Sequence, residues 1–309
     1  MRGGANPPAR GPGLGPRPIG PVRSPSGRTS TWVLPRPRVL RYGSRVPRLN
    51  LAEIRQRYLD SQRPLPSDVE RLLRKDQRPG ARALIERFEK RRHENRAEGQ
   101  RLRHMLRYER ELWDQKVTLV AGIDEAGMSP LAGPVAAAAV VLEVGWRAPH
   151  VNDSKQLSAE QRSELAEVIR REAKAYAVAF VEPEEIDRLN IYWAGILAMQ
   201  RAVEALPLAP QHLLIDARKL RELPVPQTRI VKGDELSLSI AAASILAKTS
   251  RDARMQEYDR EYPAYGFAQH KGYPVRQHRR ALEEHGACPI HRRSFARVQE
   301  ALALAKARS

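Results

Sequence analysis

Val117-Thr-Leu-Val-Ala-Gly-Ile-Asp-Glu-Ala-Gly-Met-Ser-Pro-Leu-Ala-Gly-Pro-Val135 is the stretch on which the fold turns. Val117 to Ile123 is apolar and rich in β-branched residues, which reads as a buried strand. Gly127, Ser129, Pro130 and Gly133 then mark a turn, and a second buried strand is expected from Val135 to Leu142. Asp124 and Glu125 stand where the first strand closes. Neighbours on a regular strand face opposite ways, so the two carboxylates share a site only where the strand ends or bends. Gly122 and Gly127 flank them and permit a bend.

Downstream, Ser158 with Gln161 predicts a capped helix running to about Ala173. Tyr176 to Val181 reads as a strand, and Pro183 is suited to open a helix. The pattern continues with a helix over Ile191 to Leu206 and strands at His212 to Ile215 and Arg229 to Val231. Helices are expected from Ser239 to about Tyr262 and from Pro274 to His285. Strands first, then strands alternating with helices, predict one α/β domain over 117–309: a mixed sheet flanked by helices.

Upstream the composition changes twice. Residues 1–48 hold ten Arg, ten Pro and eight Gly with no acidic residue, and read as a disordered basic arm. Such an arm adds salt-sensitive affinity for nucleic acid; the equally open reading is an unselected tail, or translation from a start codon too far upstream. Residues 49–116 read as a charged helical extension. Leu51, Ile54 and Tyr58 recur at helical spacing, Ser67 with Glu70 suggests a capping box, and one long helix is expected from about Ala81 to Trp113. Its dense mixed charge is that of a solvated helix face, or of a brace against a duplex.

The 309 residues are 41% hydrophobic, enough to bury a sizeable core, and carry a net charge of +18. That excess is uneven: +10 in 1–48, +6 in 49–116 and only +2 in 117–309. Composition therefore points to a polyanionic partner for the first third without singling out the body. The lone Cys288 excludes an internal disulfide and suits a reducing cytoplasm. There is no run of 18 apolar residues and no signal-peptide core, so a soluble, membrane-free cytoplasmic protein is expected.

Four carboxylates stand out by position. Asp124 and Glu125 close the first strand, Asp216 closes His212–Ile215, and Asp234 follows Arg229–Val231. Strand ends in α/β sheets project into shared crevices. Carboxylates gathered there repel one another unless a cation neutralises them, and Mg²⁺ or Mn²⁺ prefers oxygen ligands. A pair of such ions serves in-line phosphoryl displacement. Taken singly, each acid reads equally as a turn or cap residue. His270, His278, His285 and His291 cluster near the end, but their spacing fits no tight zinc pattern, and Cys288 has no evident base.

The segment Ala121 to Val135 resembles the opening motif of ribonuclease HII. So do Asn152-Asp-Ser-Lys-Gln-Leu-Ser158, Leu213-Leu-Ile-Asp-Ala217, Val231-Lys-Gly-Asp-Glu235 and Ile240-Ala-Ala-Ala-Ser-Ile-Leu-Ala-Lys248 with Arg251-Asp252. Tyr265-Gly-Phe-Ala-Gln-His-Lys-Gly-Tyr-Pro274 and His291-Arg-Arg-Ser-Phe295 complete the series, in the family's order and over nearly all of 117–298. Residues 66–113 look, more loosely, like the helical extension of longer bacterial members. The resemblance implies a ribonuclease H-like fold and metal-dependent cleavage of the RNA strand of RNA–DNA hybrids, leaving 3′-hydroxyl and 5′-phosphate ends. It implies that Asp124, Glu125, Asp216 and Asp234 are the metal-binding, catalytic tetrad, served by Mn²⁺ or Mg²⁺ in a two-metal site. Tyr273 matches the tyrosine that stacks on a sugar beside the scissile bond. Lys155, Lys232 and Lys248 are candidate phosphate neighbours. Expected partners are hybrid duplexes and DNA with embedded ribonucleotides, and the family leans to monomers.

The family typically carries Gly-Arg-Gly where this chain has Gly127, Met128 and Ser129. Losing Arg removes a fork of donors that Met cannot replace, and Ser adds a side chain where backbone approaches the ribose. Selectivity for single ribonucleotides is what these changes put in question. The alternative to an active nuclease is a hybrid-binding protein of the same fold with weak or no turnover. Four retained carboxylates argue against it, since a binder gains nothing from buried like charges.

Overall fold

A computed structural model describes residues 50–146, 151, 154 and 157–308. The basic arm 1–48 and Lys155 lie outside the described residues.

The chain begins with α1 (Leu51–Ile54), capped by the Asn50 side chain and continued as a π-helical segment over Arg55–Asp60. Next come α2 (Ser67–Lys75), α3 (Pro79–Met105) and α4 (Arg107–Asp114). Two expectations fail here. Ser67 does not cap α2, because Pro66 already holds the extended N-cap conformation and Ser67 is the first helical residue. Glu70 instead takes Arg74 and Arg92, each at 2.7 Å. The single helix foreseen over 81–113 is broken at Leu106, whose ψ of 9° leaves the helical region.

The sheet is mixed, with order β3-β2-β1-β4-β5. Its strands are β1 (Val120–Ala126), β2 (Val135–Val141), β3 (Ala175–Val181), β4 (His212–Asp216) and β5 (Gln227–Ile230). β1, β2 and β3 are antiparallel neighbours, whereas β4 and β5 run parallel to β1. β1 begins later than its apolar run and continues through both acids to Ala126, so Asp124 and Glu125 lie inside the strand. β5 is likewise earlier than expected and leaves Val231 outside.

Helices cover both faces. α5 (Ala159–Glu172) carries the predicted capping box of Ser158 and Gln161. Then follow α6 (Pro183–Leu189), α7 (Ile191–Glu204), the single turn α8 (Gly233–Leu236) and the long α9 (Leu238–Glu261). α9, α5 and the last turns of α3 pack with Val120, Ala138, Val140 and Leu214 on one face. α7 packs with Ala121, Ile123, Ala137 and Ile215 on the other. Every residue of β2 is buried, and its run Ala136–Ala139 is small enough to bring both helices close. The closest approach is at Gly122, where an added Cβ would lie 2.1 Å from the Ser239 carbonyl carbon. Only glycine fits there.

The C-terminal elements are a 3₁₀ turn at Pro263–Tyr265, α10 (Phe267–His270), α11 (Arg276–His285) and α12 (Ala296–Arg308). They form a smaller core around Met255, Tyr265, Phe267, Cys288 and Ile290, built onto Ala132 of the β1–β2 connection. No described helix is long and apolar enough to cross a membrane.

Candidate active site

Asp124 and Asp216 stand at the same level of adjacent parallel strands, one residue beyond the paired Ile123 and Ile215. Alternation places both on the α9 face, as Val120 and Leu214 are. Asp216 ends its strand; Ala217 turns left-handed (φ 49°), and the Asp216 Oδ1 accepts the Gly233 amide at 2.6 Å. That bond ties β4 to the turn carrying Asp234. Lys232, also left-handed (φ 57°), directs the chain into α8, where Asp234 is buried. Such backbone strain in two consecutive site turns is the kind held at functional positions.

Glu125 points to the α7 face, yet it belongs to the same electrostatic group. Burial raises the Asp124 carboxyl well above its ordinary range, and Glu125, Asp216 and Asp234 push it further, against a hydrogen bond from Ser244. Burial also raises Glu125; the Arg218 guanidinium opposes this, and Asp216 adds to it. Arg218 Nη2 lies 3.2 Å from Glu125 Oε1, while Glu125 Oε2 is buried without a hydrogen-bond partner.

Among the described residues no three His, Cys, Asp or Glu side chains already stand at ligand spacing around one point. The donor set nevertheless suits a hard divalent cation: all oxygen, mutually repelling, with one buried carboxylate oxygen lacking a partner. A cation would lower the cost of ionising every member.

The loop 127–134 is held by two buried arginines that sequence reading quoted within motifs but gave no role. Arg292 donates to the carbonyls of Gly127 (2.7 Å), Met128 (3.2 Å), Pro130 (2.8 Å) and Gly133 (2.9 Å). Arg251 donates to Pro134 (2.9 Å), Ala132 (3.1 Å) and Lys271 (3.0 Å). Burial lowers the pKa of both, that of Arg292 to about 9, so Arg292 stays charged at neutral pH. Backbone bonds extend the clamp: Leu131 N donates to Gly272 O at 2.8 Å, next to Tyr273. The loop carrying Gly127, Met128 and Ser129 is thus stitched to the loop carrying Tyr273. Met128 packs toward α7, its sulfur 3.1 Å from where a Cβ on Gly195 would be, and Ser129 is exposed.

Tyr273 is 37% exposed, with Lys248 Nζ 5.7 Å and Arg251 Cζ 5.9 Å from its ring centre. Lys248 also pairs with Asp252 at 2.6 Å, and so belongs to the Tyr273 neighbourhood. Lys232 sits 4.0 Å from Glu235 with its side chain 71% exposed.

The late histidines form a hydrogen-bonded chain. His278 Nδ1 lies 3.0 Å from the Tyr273 carbonyl and must donate. Its Nε2 therefore accepts from His291 Nε2 at 3.1 Å, and His291 Nδ1 accepts the Cys288 amide at 3.1 Å. Burial lowers His278 to about 4 and His291 to about 3, and raises the Cys288 thiol to about 11. Neutral rings and an un-ionised thiol suit a structural role behind Tyr273.

Ribonuclease H2 from Pyrococcus horikoshii OT3 is a structural neighbour with TM-score 0.52 and 26% identity, spanning 62% of this chain and 99% of that one. Sheet order and flanking helices thus define a ribonuclease H-like fold. The ribonuclease HII family profile matches residues 121–298, and the ribonuclease HII N-terminal domain profile matches 51–113. A ribonuclease HII from Anaeromyxobacter sp. (strain Fw109-5) is 61% identical over 84% of this chain and 82% of its own length. One from Myxococcus xanthus (strain DK1622) is 57% identical over 82% of this chain and 87% of its own. The chain belongs to the ribonuclease HII family and is an enzyme of the ribonuclease H class.

Proposed function

We propose that the chain hydrolyses the RNA strand of RNA–DNA hybrids at a divalent-metal site made by Asp124, Glu125, Asp216 and Asp234, leaving 3′-hydroxyl and 5′-phosphate ends. The observation that carries this is the buried carboxylate group itself: burial raises Asp124 and Glu125, Asp124 is raised further by Glu125, Asp216 and Asp234, and Glu125 further by Asp216, across two parallel strands and the turn after a third. Mg²⁺ or Mn²⁺, as one ion or two, supplies Lewis acidity for the attacking water and the leaving oxygen when bound. Asp216 and Asp234 are positioned by the Gly233 amide bond, Asp124 by Ser244, and Glu125 by Arg218. Tyr273 presents a ring face for a sugar, flanked by Lys248 and Arg251, and contacts of that kind tolerate any base. We assign catalysis to 117–309, with 49–116 as a helical extension and 1–48 as a separate arm.

The test is cleavage of labelled hybrid with Mg²⁺ or Mn²⁺ beside Asp124→Asn. Loss of even an outer partner of a metal ligand costs 10–100-fold, so removing a ligand is expected to cost at least about 100-fold. Binding without cleavage by the unmodified chain would show a hybrid-docking protein instead.

Selectivity follows from the loop. Met128 is turned onto Gly195 and offers no fork of donors, so recognition of an isolated ribose rests on backbone and Ser129. Single embedded ribonucleotides are expected to be cut more slowly than continuous hybrids at equal enzyme concentration. Equal rates would sink that part of the reading.

A further inference from the structure

Beyond the carboxylates, on the α7 side of the sheet, lies an open pocket of about 800 Å³. One wall is the start of α7, where Tyr192 and Trp193 are 53% and 55% exposed, their rings edge-to-face at 5.2 Å. Large aromatics left this bare are uncommon on a surface with no use for them. They are also fixed in place. Asn190, left-handed at φ 70°, accepts both of their backbone amides on its side-chain oxygen, at 3.0 and 3.2 Å.

The facing wall is cationic. Arg218, Lys219, Arg221 and Arg229 line it against the single acid Glu222. Arg218 forms the floor: its guanidinium stacks 5.0 Å from the Tyr192 ring centre and reaches Glu125 on its other side. Since Arg218 follows Asp216 by two residues, the pocket opens directly beside the carboxylates.

We propose that this pocket is a subsite for an unpaired nucleotide of a substrate strand, its base against Trp193 and Tyr192 and its phosphates on Lys219, Arg221 and Arg229. Bases within a duplex have both faces covered by neighbours, so an exposed aromatic pair suits a nucleotide that has left the stack. The surrounding cations match the phosphates of a nucleotide and would be left unmatched by a purely apolar occupant, while the paired aromatic rings favour a base over an acidic peptide. The reading of the chain as a hybrid nuclease supplies only the identity of this polyanion, and the test separates the two.

Full-length protein is titrated with a blunt hybrid and with the same hybrid bearing an unpaired tail. The tailed hybrid is expected to bind about tenfold more tightly, within what stacking one base contributes. Trp193→Ala and the charge-reversed pair Arg221→Glu with Arg229→Glu should each erase that margin while leaving the cleavage rate on blunt hybrid unchanged. These side chains are exposed, so folding is not at stake. A short unpaired oligonucleotide reads the pocket without any hybrid: it should quench tryptophan fluorescence, and Trp193→Ala should remove the quench. Equal affinity for blunt and tailed hybrids, or a margin that survives both variants, overturns the proposal and leaves the pocket to a protein partner. Failure to cleave blunt hybrid overturns the nuclease reading alone, and absence of quenching overturns the pocket alone.

Discussion

Gly127 shows how tightly single positions are constrained. Its φ of +93° is a conformation L side chains rarely adopt, and a Cβ there would meet Arg251 Nε at 2.1 Å and the Pro134 carbonyl at 2.9 Å. Strain alone costs about 1–3 kcal/mol, and the displaced guanidinium would release the loop facing the substrate. Gly127→Ala should therefore lower the thermal midpoint and reduce cleavage roughly 100-fold, the scale of a small misplacement near the chemistry. Unchanged cleavage kinetics would show that the loop position does not matter. At this scale the sequence singled out acids by position and gave the buried cations no such mark. Asp124 was expected at a strand end yet lies inside β1, which runs on to Ala126; Asp216 does end its strand and is legible for that reason. Arg251, Arg292 and Arg218 are not, since their partners are backbone carbonyls and a carboxylate far along the chain, with 117 to 165 residues between Arg251 or Arg292 and most of the carbonyls they hold.

Among the elements, α4 and α9 are joined by a buried carboxylate. Glu109 Oε1 accepts from Ser237 Oγ (2.6 Å), Ser239 N (2.9 Å) and Ser239 Oγ (2.7 Å) at the first turn of α9, just where Gly122 lets β1 approach. Burial raises its pKa against those bonds. Glu109→Ala would strand three donors, and we expect a loss of about 2–3 kcal/mol in urea denaturation. Nothing in the charged run around Glu109 distinguishes it from solvated neighbours, so this latch was invisible beforehand, as was the break at Leu106. The histidine chain gives a second prediction. His278 is neutral when folded down to about pH 4, whereas an unfolded histidine takes a proton near 6.5. Its contribution is thus complete above pH 6.5 and declines as pH falls toward 4. Measured against His278→Leu, the stability advantage of the unmodified chain should narrow by about 1.4 kcal/mol per pH unit across that window. A constant gap would mean that the ring takes up its proton in the fold at the same pH as in the unfolded chain.

For the whole molecule, net charge and the carboxylate group are distributed differently. The carboxylates sit in a body whose net charge is only +2, while +10 is carried by residues 1–48. Each phosphate contact contributes about 0.9 to the slope of log affinity against log salt. Deleting 1–48 is expected to flatten that slope without changing cleavage at saturation; equal slopes would assign the phosphate contacts elsewhere. The mixed sheet with helices on both faces was legible from alternating strand and helix patterns. The pairing order β3-β2-β1-β4-β5 was not, because register is decided by contacts across the chain. The Glu109 latch also has a consequence in time. Ser237 lies 128 residues after Glu109. At ribosomal speeds of 5–20 residues per second, roughly 6 to 26 s separate the emergence of the two partners. Throughout that interval Leu102, Met105 and Trp113 have been made, but the α9 residues that bury them have not. The first helices can close their own small core at once, whereas the end of α3 and α4 stay uncovered until α9 arrives.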